Sequence, residues 1–263
     1  MTLNKLFVIR NPNPDAKVRL FCFPFAGGGI NTYFSWQNFF PEDVELVFVQ
    51  PPGRGTRIFE SAHQSMASLM KELMHHADFI VERPYVLFGH SLGSRVAYEL
   101  CCQLMAANML LPECVIASGS RAPHIKGLVK SIHDMPEDKF LNELKNHNGT
   151  PREVLENKAL MELLLPLLRA DFRISETYLA EPIVLNIPFE IFHGEQDISV
   201  EEKNVFAWSE LSSKNTNMTR FNGDHFFINH CSDKVASKIL EIIQRYFIYQ
   251  KGFLASTCSS RRA

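Results

Sequence analysis

The stretch "LFGHSLGSRVAYEL", residues 87–100, sets one serine between two glycines, Gly89-His90-Ser91-Leu92-Gly93, with apolar residues before and after. The run leading in, residues 84–90, reads as a buried strand, and the periodicity after Ser91 reads as a helix. A G-x-S-x-G at such a junction has the form of a tight turn that holds a serine clear of the chain. A side chain at either flanking position would collide with neighbouring backbone, and glycine removes the clash. The same turn aims the Leu92 backbone N–H, at the start of the helix, toward a developing oxyanion. The plain alternative is an ordinary glycine-flanked turn, and the rest of the chain decides between the two.

Outward from this stretch, apolar runs recur at residues 18–25, 44–52, 113–120 and 188–194, each ending in Gly, Pro or a polar cluster. They are rich in Phe, Val and Ile and lack polar alternation, as strands buried on both faces do. Helical stretches lie between them. Residues 61–81 open with Ser61 and Gln64 at capping-box spacing and repeat apolar residues at Met66, Leu69, Met70, Leu73 and Met74. Strands alternating with helices predict an α/β fold, a mostly parallel central sheet with helices on both faces.

After residue 120 the alternation breaks. Residues 121–187 read as helices, with Asn148-Gly149 closing one and Thr150, Pro151 and Glu153 at the N-cap, N1 and N3 of the next. This segment is read as a helical lid inserted into a core formed by 1–120 and 188–250, the alternative being a long crossover packed on the core. Residues 251–263 lose periodicity and are expected as a flexible tail.

Composition narrows the function classes. With 263 residues the chain can build one large core, and its formal net charge is -2 with Lys and Arg scattered along it. Neither a nucleic-acid footprint nor a polybasic membrane surface is present. The six cysteines, Cys22, Cys101, Cys102, Cys114, Cys231 and Cys258, form no C-x-x-C, and reduced structural thiols are expected in place of disulfides or metal ligands. Residues 6–9 are the only apolar run before Arg10, too short for a signal-peptide core, and no run approaches the ~18 residues of a membrane span. A cytoplasmic location is expected.

A serine nucleophile needs a base, and the base needs an orienting acid. In this architecture the chain order is Ser, then Asp or Glu, then His. Of the ten histidines, His193, His225 and His230 lie in the final third. His225 sits in "FNGDHFF", a glycine-containing loop after the strand-like "NMTRF", and is favoured as the base. His193 lies within its own strand as a core histidine, and His230 reads as surface or a helix N-terminus. For the acid, the run at 188–194 delivers Asp197, favoured, and Glu195, its alternative, to the loop that follows; Asp224 adjoins His225 and reads as a turn or capping residue. The loop after the first core strand, "FPFAGGG" at 23–29, is expected to supply a second oxyanion donor, the Ala26 N–H, with neighbouring Phe25 as the alternative. Its triple glycine lacks the Gly-Lys-Ser/Thr of a phosphate cradle.

Taken together and in order, "FCFPFAGGG", "PPGRGTR", "GHSLGS", "ASGSRAPH", "LLPLLRADF" and "GDHFF" resemble the type II thioesterases that accompany nonribosomal peptide and polyketide synthetases. The resemblance runs from about residue 19 to 230. It implies an α/β-hydrolase with an inserted helical lid, with Ser91 as nucleophile, Asp197 as acid and His225 as base, in agreement with the reading from chain order. It also implies a substrate: an acyl thioester on the phosphopantetheine arm of an acyl or peptidyl carrier protein, hydrolysed to free a blocked synthetase. "FPFAGGG" and "APH" look closer to bacterial members than to a vertebrate relative, so small acyl and aminoacyl units are expected over long fatty chains. No metal or tightly bound cofactor is required, and a monomer is the default. Phe25, Phe140, Leu144 and Leu164 are candidates for the acyl pocket or lid, and for Phe140, Leu144, Leu160 and Leu164 the plain alternative is core packing. Arg54 and Arg57 either face the carrier or are structural. A general carboxylesterase with the same triad and a non-catalytic binding scaffold are the rival readings.

Overall fold

The apolar runs pair edge to edge into a single sheet. A computed structural model describes residues 5–127, 131–146, 149 and 152–259. Its strands are β1 (Phe7–Val8), β2 (Val18–Phe23), β3 (Val44–Val49), β4 (Tyr85–His90), β5 (Cys114–Ser118), β6 (Phe189–Gly194) and β7 (Thr216–Phe221). Among the described residues these seven form one sheet in the order β1-β3-β2-β4-β5-β6-β7. β1 runs antiparallel to β3 and every other neighbouring pair is parallel.

The absence of polar alternation has a direct cause: successive residues of each central strand enter two different cores. Phe21 and Phe23 of β2, and Leu87 of β4, pack with α1 (Met66–His75), α2 (Ala77–Val81) and α3 (Leu92–Ala106) on one face. Leu20 and Cys22 of β2, with Val86 and Phe88 of β4, pack on the other against the 3-10 helix Ile30–Asn38 and the last helix. Both faces are therefore dry, as a parallel sheet requires. β7, at the edge, is mostly half-exposed, and its Thr, Asn and Arg side chains suit that position.

Between β5 and β6 the chain forms α4 (Glu137–Asn146), α5 (Arg152–Leu155) and α6 (Lys158–Thr177). Ile132, Phe140, Leu144, Met161 and Leu168 make a third apolar cluster there, separate from the two that flank the sheet. β5 and β6 are parallel neighbours, so the segment leaves at one edge of the sheet and returns to the opposite edge. Residues 178–188 make that return, held by Tyr98, whose hydroxyl donates to the Ile183 carbonyl at 2.8 Å and accepts the Ile183 N–H at 3.0 Å. After β6 come α7 (Glu202–Phe206), α8 (Phe227–His230) and α9 (Ser232–Ser259).

Two expectations are corrected and one element was missed. The helix over residues 66–75 is capped not by Ser61 but by Ser65, whose hydroxyl accepts the Ser68 N–H at 3.2 Å, because the apolar stripe itself starts at Met66. The expected tail from residue 251 is helical to Ser259: no proline interrupts α9, and Gly252 alone costs only about 1 kcal/mol relative to alanine. The two-residue strand β1 was not anticipated. Asn148, Thr150 and Pro151, expected at helix ends, lie outside the described residues, as do 260–263. Cys22, Cys101, Cys102 and Cys114 are buried free thiols. No helix among the described residues is long and apolar enough to cross a membrane.

Candidate active site

The parallel strands bring four loops to one edge of the sheet, at their carboxyl ends, where α/β folds bind ligands. Ser91 follows β4, Ala26 follows β2, Asp197 follows β6 and His225 follows β7. All four line one cavity of about 700 Å³.

Ser91 has φ 53 and ψ -114, a conformation few side-chain-bearing residues adopt. Its flanking glycines are required by close approach. A Cβ on Gly89 would stand 2.2 Å from the Gly93 carbonyl, and one on Gly93 would stand 2.3 Å from the Phe23 carbonyl. The turn is pinned from outside: the Ser91 N–H donates to the Ser118 carbonyl at 2.7 Å, and the buried Ser94 hydroxyl donates to the Gly89 carbonyl at 2.7 Å and accepts the Ser118 N–H at 3.0 Å. Ser94 ends the quoted "GHSLGS", yet its stapling role depends on β5 and was invisible in the sequence.

His225 Nδ1 donates to Asp197 Oδ2 at 2.7 Å. The other carboxylate oxygen accepts the Ser199 N–H at 2.9 Å and its hydroxyl at 2.5 Å. Burial by itself would raise the Asp197 carboxyl, but the hydrogen bond and charge of His225, joined by the Ser199 donors, hold it below its ordinary value. Asp197 is thus kept ionised and fixes the imidazole so that Nε2 is left for the cavity. The approach of the two loops needs Gly194, where a Cβ would lie 2.5 Å from the Asp224 carbonyl. Beneath them His90, fully buried, lies with its ring 5.2 Å from that of His225; burial, then the His225 charge, push it well below the usual histidine range.

The alternatives fall elsewhere. Glu195 is exposed and outside the cavity lining, His193 is buried within β6, and His230 is exposed at the end of α8. Asp224 accepts the Phe226 N–H at 2.9 Å and serves the turn. In the loop after β2, the Gly28 N–H closes a turn on the Phe25 carbonyl at 2.9 Å, and Gly27 takes φ +75. The Gly27 N–H is bound to Asp171, whereas the Ala26 and Leu92 N–H groups have no hydrogen-bond partner among the described residues. Phe25 lines the cavity beside Ala26.

Of the lid candidates, Leu144 lines the cavity. Phe140 does not: it is buried in the third cluster, 5.8 Å from the Phe172 ring and under the Arg169 guanidinium. Leu164 belongs to the same cluster, away from the cavity, and Leu160 is half-buried. The arginines of "PPGRGTR" are structural. Arg54 pairs with Asp171 at 2.8 Å and Arg57 with Glu72 at 2.7 Å, both buried, so neither is a rim for a partner.

Residues 18–245 match the family model described as thioesterase domain. The gramicidin S biosynthesis protein GrsT of Aneurinibacillus migulanus is 34% identical over 229 residues, 86% of this chain and 89% of that protein. Among solved structures, ClbQ from the colibactin NRPS/PKS pathway superposes with a TM-score of 0.82 at 29% identity, covering 89% of this chain and 100% of that one. YbtT, a type II thioesterase from the yersiniabactin NRPS/PKS biosynthetic pathway, superposes with a TM-score of 0.81 at 30% identity, over 92% and 99% of the two chains.

Proposed function

Because the chain belongs to the thioesterase domain family, with the α/β-hydrolase fold of its neighbours, we propose that it is a type II thioesterase, a cytoplasmic serine hydrolase that clears acyl groups from the phosphopantetheine arm of carrier proteins in a peptide or polyketide synthetase. The observation that carries this reading is the Asp197–His225 pair, 2.7 Å apart, facing the same cavity as a serine held at positive φ.

In this mechanism His225 Nε2 takes the Ser91 proton as the hydroxyl oxygen attacks the thioester carbonyl. Asp197 stabilises the imidazolium that forms. The oxyanion rests on the Leu92 and Ala26 N–H groups, and collapse of the tetrahedral intermediate expels the pantetheine thiol, protonated by His225. With a pKa of ~8.5 the thiol is a better leaving group than an alkoxide or amine. Water, deprotonated by the same histidine, then cleaves the acyl ester on Ser91. No metal or cofactor enters either step. The segment 121–187 acts as the lid over the acyl group, with Leu144 and Phe25 in contact with it.

The test is hydrolysis of acetyl-loaded carrier protein beside acetyl-pantetheine, by wild type and Ser91→Ala. Faster cleavage on the carrier, lost in the variant while the fold is retained, is the expected result. Undiminished turnover by Ser91→Ala would remove Ser91 from the mechanism, and equal rates on carrier, pantetheine and a simple ester would make the protein a general hydrolase.

A further inference from the structure

One wall of the acyl cavity carries three cations, Arg95, Arg121 and Lys126, with no carboxylate paired to them among the described residues. Arg95 stands one turn after Ser91 on α3, a rise of about 6 Å. It lines the cavity but is only 3% exposed. Its two Nη groups donate to the carbonyl and hydroxyl of Ser175, at 2.5 and 2.6 Å, and its buried Nε has no partner among the described residues. Arg121, just past β5, lines the same cavity; its Nε donates to the Ile125 carbonyl at 2.9 Å, and its Nη groups are unengaged among the described residues. The exposed Lys126 lies on the same lining.

Among the described residues no carboxylate lies within ion-pair distance of these three cations. The acids that share the cavity are committed: Glu176 to His133 and the Ile132 N–H, Asp197 to His225, Asp224 to the Phe226 N–H, and Glu143 is itself engaged. The carboxyl end of α6, at Ser175, offers Arg95 about half a negative charge, which leaves the wall positive. Burial, then the charge of Arg121, bring Arg95 down to about 9, still cationic at neutral pH. Burial lowers Arg121 as well. Like charges drawn together in a half-dry cavity are a cost to folding unless a ligand brings the counter-charge.

We propose that Arg121 and Lys126, backed by Arg95, form an anion subsite that takes a negatively charged group of the bound thioester. Arginine and lysine are the residues that recognise carboxylate and phosphate. Two parts of such a substrate bring that chemistry: a terminal carboxylate on a short dicarboxylic acyl group, or the phosphate of the pantetheine arm. The inference rests on the thioesterase reading of Ser91.

Four substrates separate the sources: succinyl and its uncharged near-isostere 4-oxopentanoyl, each as the pantetheine and as the 4′-phosphopantetheine thioester. Turnover of 4-oxopentanoyl-pantetheine by wild type measures the thioesterase reading alone, and its complete absence overturns that reading. The inference is measured by ratios of kcat/KM, for added carboxylate and for added phosphate. At least one ratio is expected to exceed about tenfold in wild type and to fall toward one in Arg121→Gln. A carboxylate ratio assigns the subsite to the acyl group and a phosphate ratio assigns it to the arm. If Arg121→Gln does not fold, Lys126→Gln, on an exposed side chain, is expected to lower the same ratio at least threefold. Both ratios near one in wild type, or ratios unmoved in the folded variants, overturn the proposal.

Discussion

Asp171, on α6, accepts the backbone N–H of Gly27 at 2.7 Å, so a helix between β5 and β6 holds the loop that carries the Ala26 N–H. Its second carboxylate oxygen takes Arg54 at 2.8 Å, and Arg54 in turn donates to the Gly28 carbonyl at 2.9 Å. One buried ion pair therefore fixes two peptides of the proposed oxyanion loop, 26–27 through its N–H and 28–29 through its carbonyl. Asp171→Asn is expected to lower kcat at least tenfold with KM within about twofold, because a misplaced donor weakens the transition state more than the ground state. It also leaves Arg54 without its counter-charge, a loss on the order of 3 kcal/mol in urea unfolding. An unchanged kcat in a folded, destabilised variant would show that the pair serves stability alone.

The positive φ of Ser91 gives a stability prediction independent of chemistry. A side-chain-bearing residue in such a conformation stores ~1–3 kcal/mol. Ser91→Ala keeps that strain and Ser91→Gly releases it, less the extra freedom glycine gains on unfolding. Both variants should be inactive, with Ser91→Gly the more stable by about 1 kcal/mol in denaturant unfolding. Equal midpoints would mean that the turn is unstrained.

Gly93→Ala and Gly29→Ala form a matched pair. The first sets a methyl 2.3 Å from the Phe23 carbonyl, fixed within the sheet, and the second meets nothing within 4 Å. The expected costs are roughly 3 kcal/mol or more for Gly93→Ala and within about 0.5 kcal/mol for Gly29→Ala. Thermal unfolding of the two, side by side, checks the contrast.

Asp197 has a signed pH dependence. Its carboxyl lies below the ordinary value when folded, held there by His225 and Ser199 against the effect of burial. Its contribution to stability is therefore full above the unfolded value of ~3.9 and is lost as pH falls through the lower folded one. Asp197→Asn should be less stable than wild type at neutral pH, with the gap closing below about pH 4. At neutral pH kcat should drop about a thousand- to ten-thousand-fold, since the amide no longer enforces the productive tautomer. A stability gap that stays constant across this range would contradict the assignment.

The third apolar cluster is small and separate from the sheet cores. Amides of α4 should exchange with solvent at least about tenfold faster than those of β4, which are buried between two layers. Equal protection would argue against a segment that opens for substrate.

What the sequence made legible follows from which forces have a period. Strands buried on both faces and the helices over them follow from apolar patterning, and Ser91, Asp197 and His225 follow from loop position and chain order. Ser199, Ser94 and Asp171 were not legible as site residues, because a polar side chain that reaches another loop or helix leaves no period behind. Asp171 stood in the quoted "LLPLLRADF" without a role until Gly27 and Arg54 were seen to meet it. Phe140 and Leu144 have the same helical spacing, and only the packing separates the one in the small cluster's interior from the one on the cavity wall.

The parallel pairing of β5 and β6 also limits what can be exchanged between relatives. The segment between them is no cassette whose ends meet: it departs from one edge of the sheet and must rejoin at the other, about 17–20 Å away along a strand of this length. A chimera that trades the helices of this segment must keep residues 178–188 with the host, together with Tyr98, which holds them. Cutting at Ser120 and Phe189 would remove the return from the carboxyl end of β5 to the amino end of β6, and a replacement needs at least five or six extended residues to close the gap (~3.3 Å each). Recombination that leaves this return strap intact can vary the acyl cavity without rethreading the sheet.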